Sequence, residues 1–450
     1  MKLSEIKESL AAMSLHPSKS LGQNFLHDKN LALWIVEQLE LTAEDHLVEI
    51  GPGLGALTQF ALPRCGSATL IEKDARLAEF LEKEFDSEKV EVRHQDVLDF
   101  DVRELFPKMP VKLLGNLPYY VTSPILFKYG AEPSPIARMV LTIQREFADR
   151  LAAQPRTKAY GALTLLIQRR WRVKFLRAIP ASVFLPKPKV DSAAIALTPR
   201  EPGELPDCDS RWFQTLVKQG FSQRRKQLGK MLADYVADWP DVAAQLGISE
   251  TARAEELSLE QWIALTNALH PCTTSAQEIH TEFFDIVDEN DRVIGHASRH
   301  DVHKQKLLHR AVHMFVFNSA GELFLQKRSR WKDSDPSRWA SSVAGHVNAG
   351  DDYDTTAARE IGEELGVTAS DVRLMVKIPA SKTTGWEFVR LYRATHDGPF
   401  QLPCSEIECG GFFPVPVIEK WIAARPKDFA ASFRECFAKY QNENRAVTNP

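Results

Sequence analysis

The sequence predicts two α/β units of different construction, joined near residue 270. Three observations carry that reading. Four short apolar runs in the first half each end in a glycine turn, an acid or an Asn-Pro turn, the pattern of an open, doubly wound sheet. Composition then turns polar at His270-Pro271-Cys272-Thr273-Thr274-Ser275. Past that point, β-rich runs flank hairpin turns and lead to one helix dense in carboxylates, which reads as an α+β unit.

The first strand is Leu47-Val48-Glu49-Ile50, with one acid near its end. Gly51-Pro52-Gly53-Leu54-Gly55 follows, and Ala56-Leu57-Thr58 opens a helix. Glycines let backbone pass close to a ligand, and the helix start supplies free N–H groups. The second strand, Ala68-Thr69-Leu70-Ile71, ends at Glu72, where an acid can accept both hydroxyls of a ribose. The third, Val90-Glu91-Val92-Arg93, leads to Asp96, placed to accept from an adenine amine. The fourth, Val111-Lys112-Leu113-Leu114-Gly115, ends in Asn116-Leu117-Pro118-Tyr119. An amide oxygen and a freed carbonyl there can accept both hydrogens of an exocyclic amine, Pro118 fixes the turn, and Tyr119 offers a stacking face. Glycine loop, acid, second acid and Asn-Pro turn in that order point to S-adenosylmethionine and methyl transfer onto an adenine amine.

Length and composition agree. A chain of 450 residues holds two or three domains with ample core, and 44% hydrophobic content is that of a globular protein. The first residues show no signal-peptide pattern, and no stretch approaches the roughly 18 apolar residues that span a bilayer. Cys65, Cys208, Cys272, Cys404, Cys409 and Cys436 lack paired spacing, so a cytoplasmic protein without disulfides is expected. The net charge of -4 hides an asymmetry: residues 151–200 carry ten basic side chains against one acid, Asp191. Arg169, Arg170, Arg224, Arg225 and Lys226 form the densest basic clusters, the footprint of contact with a phosphate backbone.

These residues resemble the KsgA-type ribosomal RNA adenine dimethyltransferases, from about residue 21 to 269. The motifs run in order: Gly22-Gln23-Asn24-Phe25-Leu26, Glu49-Ile50-Gly51-Pro52-Gly53-Leu54-Gly55, Glu72, Asp96 and Asn116-Leu117-Pro118-Tyr119. Lys158-Ala159-Tyr160-Gly161, the run from Phe184 to Ser192, and a helix bearing Gln223-Arg224-Arg225-Lys226 complete them. The resemblance implies a Rossmann-like S-adenosylmethionine methyltransferase with a small helical domain. It also implies a methyl-donor pocket lined by Gln23, Asn24, Leu26, Glu49, Gly51, Gly53, Glu72, Asp96 and Asn116. Leu117 and Pro118 would complete the amine site, and Tyr119 and Phe184 would sandwich a flipped adenine. Small-subunit rRNA and the assembling small ribosomal subunit are the implied partners. The family's usual final Asn of the turn is here Tyr120. Two alternatives stand beside this reading: a large-subunit rRNA methyltransferase conferring antibiotic resistance, and an RNA-binding ribosome-assembly factor.

In the second half, hairpin turns fall at Asp288-Glu289-Asn290-Asp291 and Asn318-Ser319-Ala320-Gly321. Then come Gly345, Asp351 and Arg359-Glu360-Ile361-Gly362-Glu363-Glu364-Leu365-Gly366. Glu360, Glu363 and Glu364 share one helix face, and clustered carboxylates call for a hard cation, magnesium or manganese. The spacing resembles the Nudix box, which implies an α/β/α sandwich that cleaves a diphosphate-containing small molecule. Gly345, Asp351 and Arg359 would support the box, and Glu408, with Glu406 an equal candidate, would act as base. Leu308-His309-Arg310 and Trp339, Gly345 and His346 resemble the branch nearest isopentenyl diphosphate isomerases, yet Ala344 stands where the isomerase needs Cys. An idle domain that binds RNA or protein is the alternative. The expected boundaries are 1–200 for the methyltransferase domain, 201–270 for the helical domain, 271–279 for the linker and 280–450 for the Nudix domain.

Overall fold

The computed structural model describes residues 3–18, 22–118, 121–201, 203–270, 282–332, 334–369 and 371–448. Tyr119, Tyr120 and the expected linker at 271–279 lie outside them. Packing divides the chain into two units, Met1–Cys208 with Phe213–Thr266, and Asp209–Trp212 with Asn267–Pro450. The helical segment after residue 212 is therefore part of the first compact unit. Among the described residues, no helix is long and apolar enough to cross a membrane.

The first unit is built on seven strands: β1 (His46–Ile50), β2 (Ser67–Glu72), β3 (Val90–His94), β4 (Val111–Asn116), β5 (Ile136–Gln144), β6 (Trp171–Ile179) and β7 (Ser192–Pro199). Their order is β3-β2-β1-β4-β5-β7-β6. The first five are parallel; β7 lies antiparallel between β5 and β6. Chain order reverses between β1 and β4, which opens a crevice at the carboxyl ends of those two strands. Both faces of the sheet are covered, so the central strands read as unbroken apolar runs. Val48, Ile50 and Leu113 pack on one side with Ile125, Tyr129 and Met139. Leu47, Leu70 and Leu114 pack on the other with Leu31, Ile35 and Leu57. An N-terminal helix, α1 (Leu3–Ala12), which the sequence reading left unassigned, buries Ile6 and Leu10 against Phe25, Leu54 and Leu77.

Helices α2 (Ser210–Gly220) and α3 (Leu259–Ala268) frame the helical segment. Phe213, Leu216 and Val217 are buried there, and Phe221 stacks on the buried Trp262 at 5.8 Å. Tyr160 ties the segment down, its hydroxyl donating to the Leu257 carbonyl at 2.9 Å. The Gln223-Arg224-Arg225-Lys226 stretch is not helical, as the sequence reading had it. It forms an exposed turn after α2, which ends at Gly220, a position where a Cβ would meet the Trp262 ring.

The second unit holds a two-stranded hairpin and a larger sheet. The hairpin is β8 (Phe283–Val287) with β9 (Val293–Ser298). The sheet contains β10 (His309–Phe317), β11 (Leu323–Arg328), β12 (Trp339–Ala340), β13 (Val343–His346), β14 (Arg373–Ile378), β15 (Glu387–Thr395) and β16 (Ile407–Phe413). Both expected turns are present. Central β10 is parallel to β15 and antiparallel to β13 and β11. Alternation along β10 makes the sandwich. Val312, Met314 and Val316 pack with Tyr353, Ala357, Ile361 and Leu365 of α4 (Tyr353–Leu365). Phe315 faces the other way, onto Phe433, Phe437 and Tyr440 of the last helix, α5 (Ala431–Thr448).

Candidate functional sites

A crevice lies beyond β1 and β4, at the carboxyl ends of the strands where open α/β sheets bind ligands. Gln23, Asn24, Leu26, Glu49, Gly51, Gly53, Glu72, Asp96, Asn116 and Pro118 all line it, so strand ends far apart in sequence meet there. Gly53 has a left-handed φ of 58°, and a Cβ on it would press the Phe25 ring at 3.1 Å. Its N–H donates to Glu72 Oε2 at 3.1 Å, while Lys73 and Asp74 N–H groups donate to Oε1. Burial pushes the Glu72 pKa up, against the three N–H groups that favour its charge. The loop and the acid thus fix one another before any ligand arrives. Asp96 sits at the rim, held by the Leu98 N–H and by Lys73 Nζ at 2.6 Å. The Lys73 hydrogen bond is the main reason its pKa lies low.

Asn116 is the best-oriented group in the crevice. Its Nδ2 donates to the Asn24 carbonyl at 2.9 Å, and Asn24 Nδ2 donates in turn to the Gly22 carbonyl. The amide is thereby fixed, and Oδ1 is left as an acceptor. Leu117 is 3% exposed and packs in the core. The Pro118 carbonyl accepts from Val121 N–H and the Thr122 hydroxyl; Pro118 is in the lining and Leu117 is not. Gln23 accepts from Ser18 N–H and reaches Asp74.

Glu49 lies beneath the loop, 1% exposed, and accepts from the Thr58 hydroxyl at 2.7 Å. Burial pushes its carboxyl up to about 8 from an ordinary 4.5. The folded chain keeps a proton that the unfolded chain releases, so this site's stability is full below about 4.5 and is lost as pH rises toward 8. Glu49→Gln is expected to flatten that loss. It should melt above the parent at about pH 8.5, by about 2–4 °C per kcal/mol recovered, and match it near pH 5. Thermal melts at both pH values check this, and equal pH slopes for parent and variant would overturn it.

Phe184 departs from expectation. It is 4% exposed and packs with Leu26, Leu31 and Ile35 instead of facing the crevice. The short ladder that pairs Phe25–Leu26 with Phe184–Leu185 turns it inward. Several basic residues also differ from the free cationic stripe. Arg169 reaches the Cys208 carbonyl and lies over Phe213 at 5.4 Å, Arg170 pairs with Glu132, and Arg224 pairs with Glu255. Each satisfies an acceptor within its own unit, a use that a count of charges does not reveal. Arg225 and Lys226 stand exposed on the turn.

The second unit has its own cavity, lined by Gly345, Arg359, Glu360, Glu363, Glu364 and Glu406 together with Arg328, Lys332 and Lys382. Asp352, which the sequence reading passed over, caps α4 by accepting from Thr355 N–H at 2.8 Å. Asp351 precedes that cap and is not in the lining. Arg359 bridges Glu360 at 2.9 Å and Glu363 at 2.7 Å. Gln326 Nε2 donates to Glu364 at 2.9 Å. Burial pushes Glu360 up to about 7 and Glu364 up to about 8, so the acidic face is costly as it stands. A hard cation removes that cost, so the donor set fits magnesium or manganese. Glu408 is not in the lining; it is buried and bonded to Lys327 at 3.4 Å. A β-bulge explains this: Arg328 pairs Ile407 while Lys327 pairs Cys409, so Glu408 is the extra residue and its side chain is re-aimed. Glu406, beside Lys332, faces the cavity. His303, His346 and Glu387 also line it. His346 lies in the stretch that resembles the isomerase branch, whereas His303 and Glu387 come from a helix and another strand and carry no contiguous motif.

Residues 15–270 match the family model described as ribosomal RNA adenine dimethylase, and residues 307–433 match that of the NUDIX domain. A "Ribosomal RNA small subunit methyltransferase A" of Prosthecochloris aestuarii is 41% identical over 254 residues, covering 56% of this chain and 94% of that protein. The protein of the same name from Maridesulfovibrio salexigens is 44% identical over 252 residues, covering 55% and 93%. The crystal structure of the 23S rRNA methyltransferase ErmE is similar over 55% of this chain and 99% of its own, with 28% identity and a TM-score of 0.47.

Proposed function

Because the chain belongs to the ribosomal RNA adenine dimethylase family, we propose that its first unit dimethylates two adjacent adenosines in the 3′-terminal hairpin of small-subunit rRNA. The observation that carries this is the Asn24-anchored amide of Asn116 at the carboxyl end of β4, with Pro118 beside it in the lining. The names of the curated relatives support the choice of the small subunit. An adenine amine is a weak nucleophile, since its lone pair is delocalised into the ring. Asn116 Oδ1 and the Leu117 or Pro118 carbonyl would accept its two hydrogens and draw the nitrogen toward pyramidal geometry. S-adenosylmethionine, when bound, supplies an electrophilic methyl on a sulfonium. Glu72 would hold its ribose and Asp96 its adenine amine. Positioning then supplies much of the rate. Tyr119 stacks on the flipped base; Phe184 joins it only if the Leu26–Phe184 ladder opens. Arg225 and Lys226 contact phosphates on the assembling subunit, in the cytoplasm.

The second unit is read as a magnesium- or manganese-dependent hydrolase of a nucleoside-diphosphate-linked substrate. Its Glu360, Glu363 and Glu364 would hold the cation, which would activate a water, and Glu406 in the same lining would accept that water's proton. Radiolabelled methyl transfer to undermethylated ribosomal subunits tests the first reading. Label in small-subunit rRNA supports it, label in large-subunit rRNA replaces the substrate, and RNA binding without label favours an assembly factor.

A further inference from the structure

We propose that α1 is the outer wall of the methyl-donor pocket and that Ile6 is a positioning residue for the donor, so that helix and donor hold each other in place. This rests on the donor reading of the crevice. The match to the dimethylase family begins at residue 15, so α1 lies before the matched region.

The sequence of α1 makes one apolar stripe. Leu3, Ile6 and Leu10 fall three and four residues apart, and Ser4, Glu5, Lys7, Glu8 and Ser9 take the positions between. A helix of 10 residues does not persist alone in water, so its order comes from what it packs on. Ile6 is 1% and Leu10 5% exposed, and both join a cluster with Leu15, Phe25, Leu54 and Leu77.

Those partners are parts of the pocket. Phe25 follows Asn24, which anchors the Asn116 amide, and its ring is the one that a Cβ on Gly53 would press. Leu54 sits inside the glycine loop, and Leu77 stands on the helix Ala75–Glu84 that starts just after Glu72. Ile6, Phe25, Leu54 and Leu77 all line the crevice, together with Gly53 and Glu72. Leu10 belongs to the same cluster but is not in the lining.

Polar links tie the segment down along its length. Lys29 Nζ lies 3.5 Å from Glu5, Arg76 donates to the Ser14 carbonyl at 3.2 Å, and the Ser18 N–H donates to Gln23 Oε1 at 2.8 Å. An exposed ion pair such as Glu5–Lys29 adds little, so the apolar stripe carries the docking.

The consequence is a coupling. With α1 docked, Phe25 and Leu54 are backed, and the glycine loop is held against them. With α1 lifted, water replaces one apolar wall of the crevice. Undocking therefore lowers donor affinity, and by reciprocity donor binding must oppose undocking by the same factor.

Two measurements on the full chain test this. Amide exchange of α1 is followed with and without saturating S-adenosylmethionine, and the donor is expected to slow it about 10-fold. Donor affinity is then measured by calorimetry. Ile6→Ala and Leu10→Ala are each expected to raise Kd by about 5–10-fold, while Ile6→Val stays near the parent. Leu197→Ala is the control for general loosening. It empties a buried position on β7, opposite Met139 and outside the crevice lining. It is expected to lower Tm and leave donor affinity unchanged. Exchange that ignores the donor overturns the proposal, as do parental affinities in Ile6→Ala and Leu10→Ala. An equal loss in Leu197→Ala overturns it too, because loosening anywhere in the unit would then account for the effect. If the parent itself binds no S-adenosylmethionine, the donor reading falls and this proposal with it.

Discussion

Asn116→Ala is expected to reduce methyl transfer by about 10²–10³-fold, the usual cost of losing one preorganised polar group at the reacting centre. RNA binding should be nearly unchanged, since the basic turn with Arg225 and Lys226 lies elsewhere in the unit. The structure gives reasons for both halves. Asn116 is half-buried at the end of β4, and its amide is tethered to a loop residue, Asn24, by a 2.9 Å bond. Alanine removes the acceptor for the target amine and frees the Gly22–Leu26 segment on one side. Asn116→Asp makes a sharper probe. It keeps the acceptor oxygen but replaces the donor NH₂ with a second oxygen, so a carboxylate oxygen faces the Asn24 carbonyl and the tether becomes repulsive. Little rescue is therefore expected from Asp. Single-turnover methyl transfer, run beside RNA-binding isotherms, separates the two effects. Near-parental turnover in Asn116→Ala would remove Asn116 from the chemistry.

What could be read from sequence in the first unit was the sheet and what sits on its strand ends. Apolar runs bounded by glycine, acid or proline are local signals, and β1 through β4 fall where those runs lie. A residue at a parallel strand's end points into the crevice because of the fold, so Glu72, Asp96 and Asn116 meet as soon as the strand order is right. The failures share one cause: the facing of a side chain set by a distant partner. Phe184 is turned into the core by Leu26, which lies in another motif. Arg170 is neutralised by Glu132 and Arg224 by Glu255. Glu408 looked equivalent to Glu406 by simple alternation, and one bulge against Lys327 and Arg328 broke the parity.

Gly345→Ala is expected to disable the acidic site of the second unit while the unit stays folded. A Cβ at Gly345 would stand 2.1 Å from the Glu360 carboxyl carbon and 2.3 and 2.5 Å from its oxygens. The backbone there is an ordinary strand paired with Val312, so alanine suffers no conformational penalty. The whole conflict is with one carboxylate. Glu360 must rotate away, and because Arg359 grips both Glu360 and Glu363, the movement disturbs a second acid as well. Overpacking of this kind costs typically 1–3 kcal/mol, too little to unfold a unit with a large aromatic core. Manganese affinity, measured on the full chain, should fall at least ~10-fold, a loss typical of disturbed ligand geometry. Metal-dependent turnover of a nucleoside-diphosphate panel should fall with it, as it should in Glu363→Gln. Binding is the readout that does not require the substrate to be known. If Gly345→Ala binds manganese as the parent does, the cation does not use Glu360. The Nudix reading of the cavity then loses its metal.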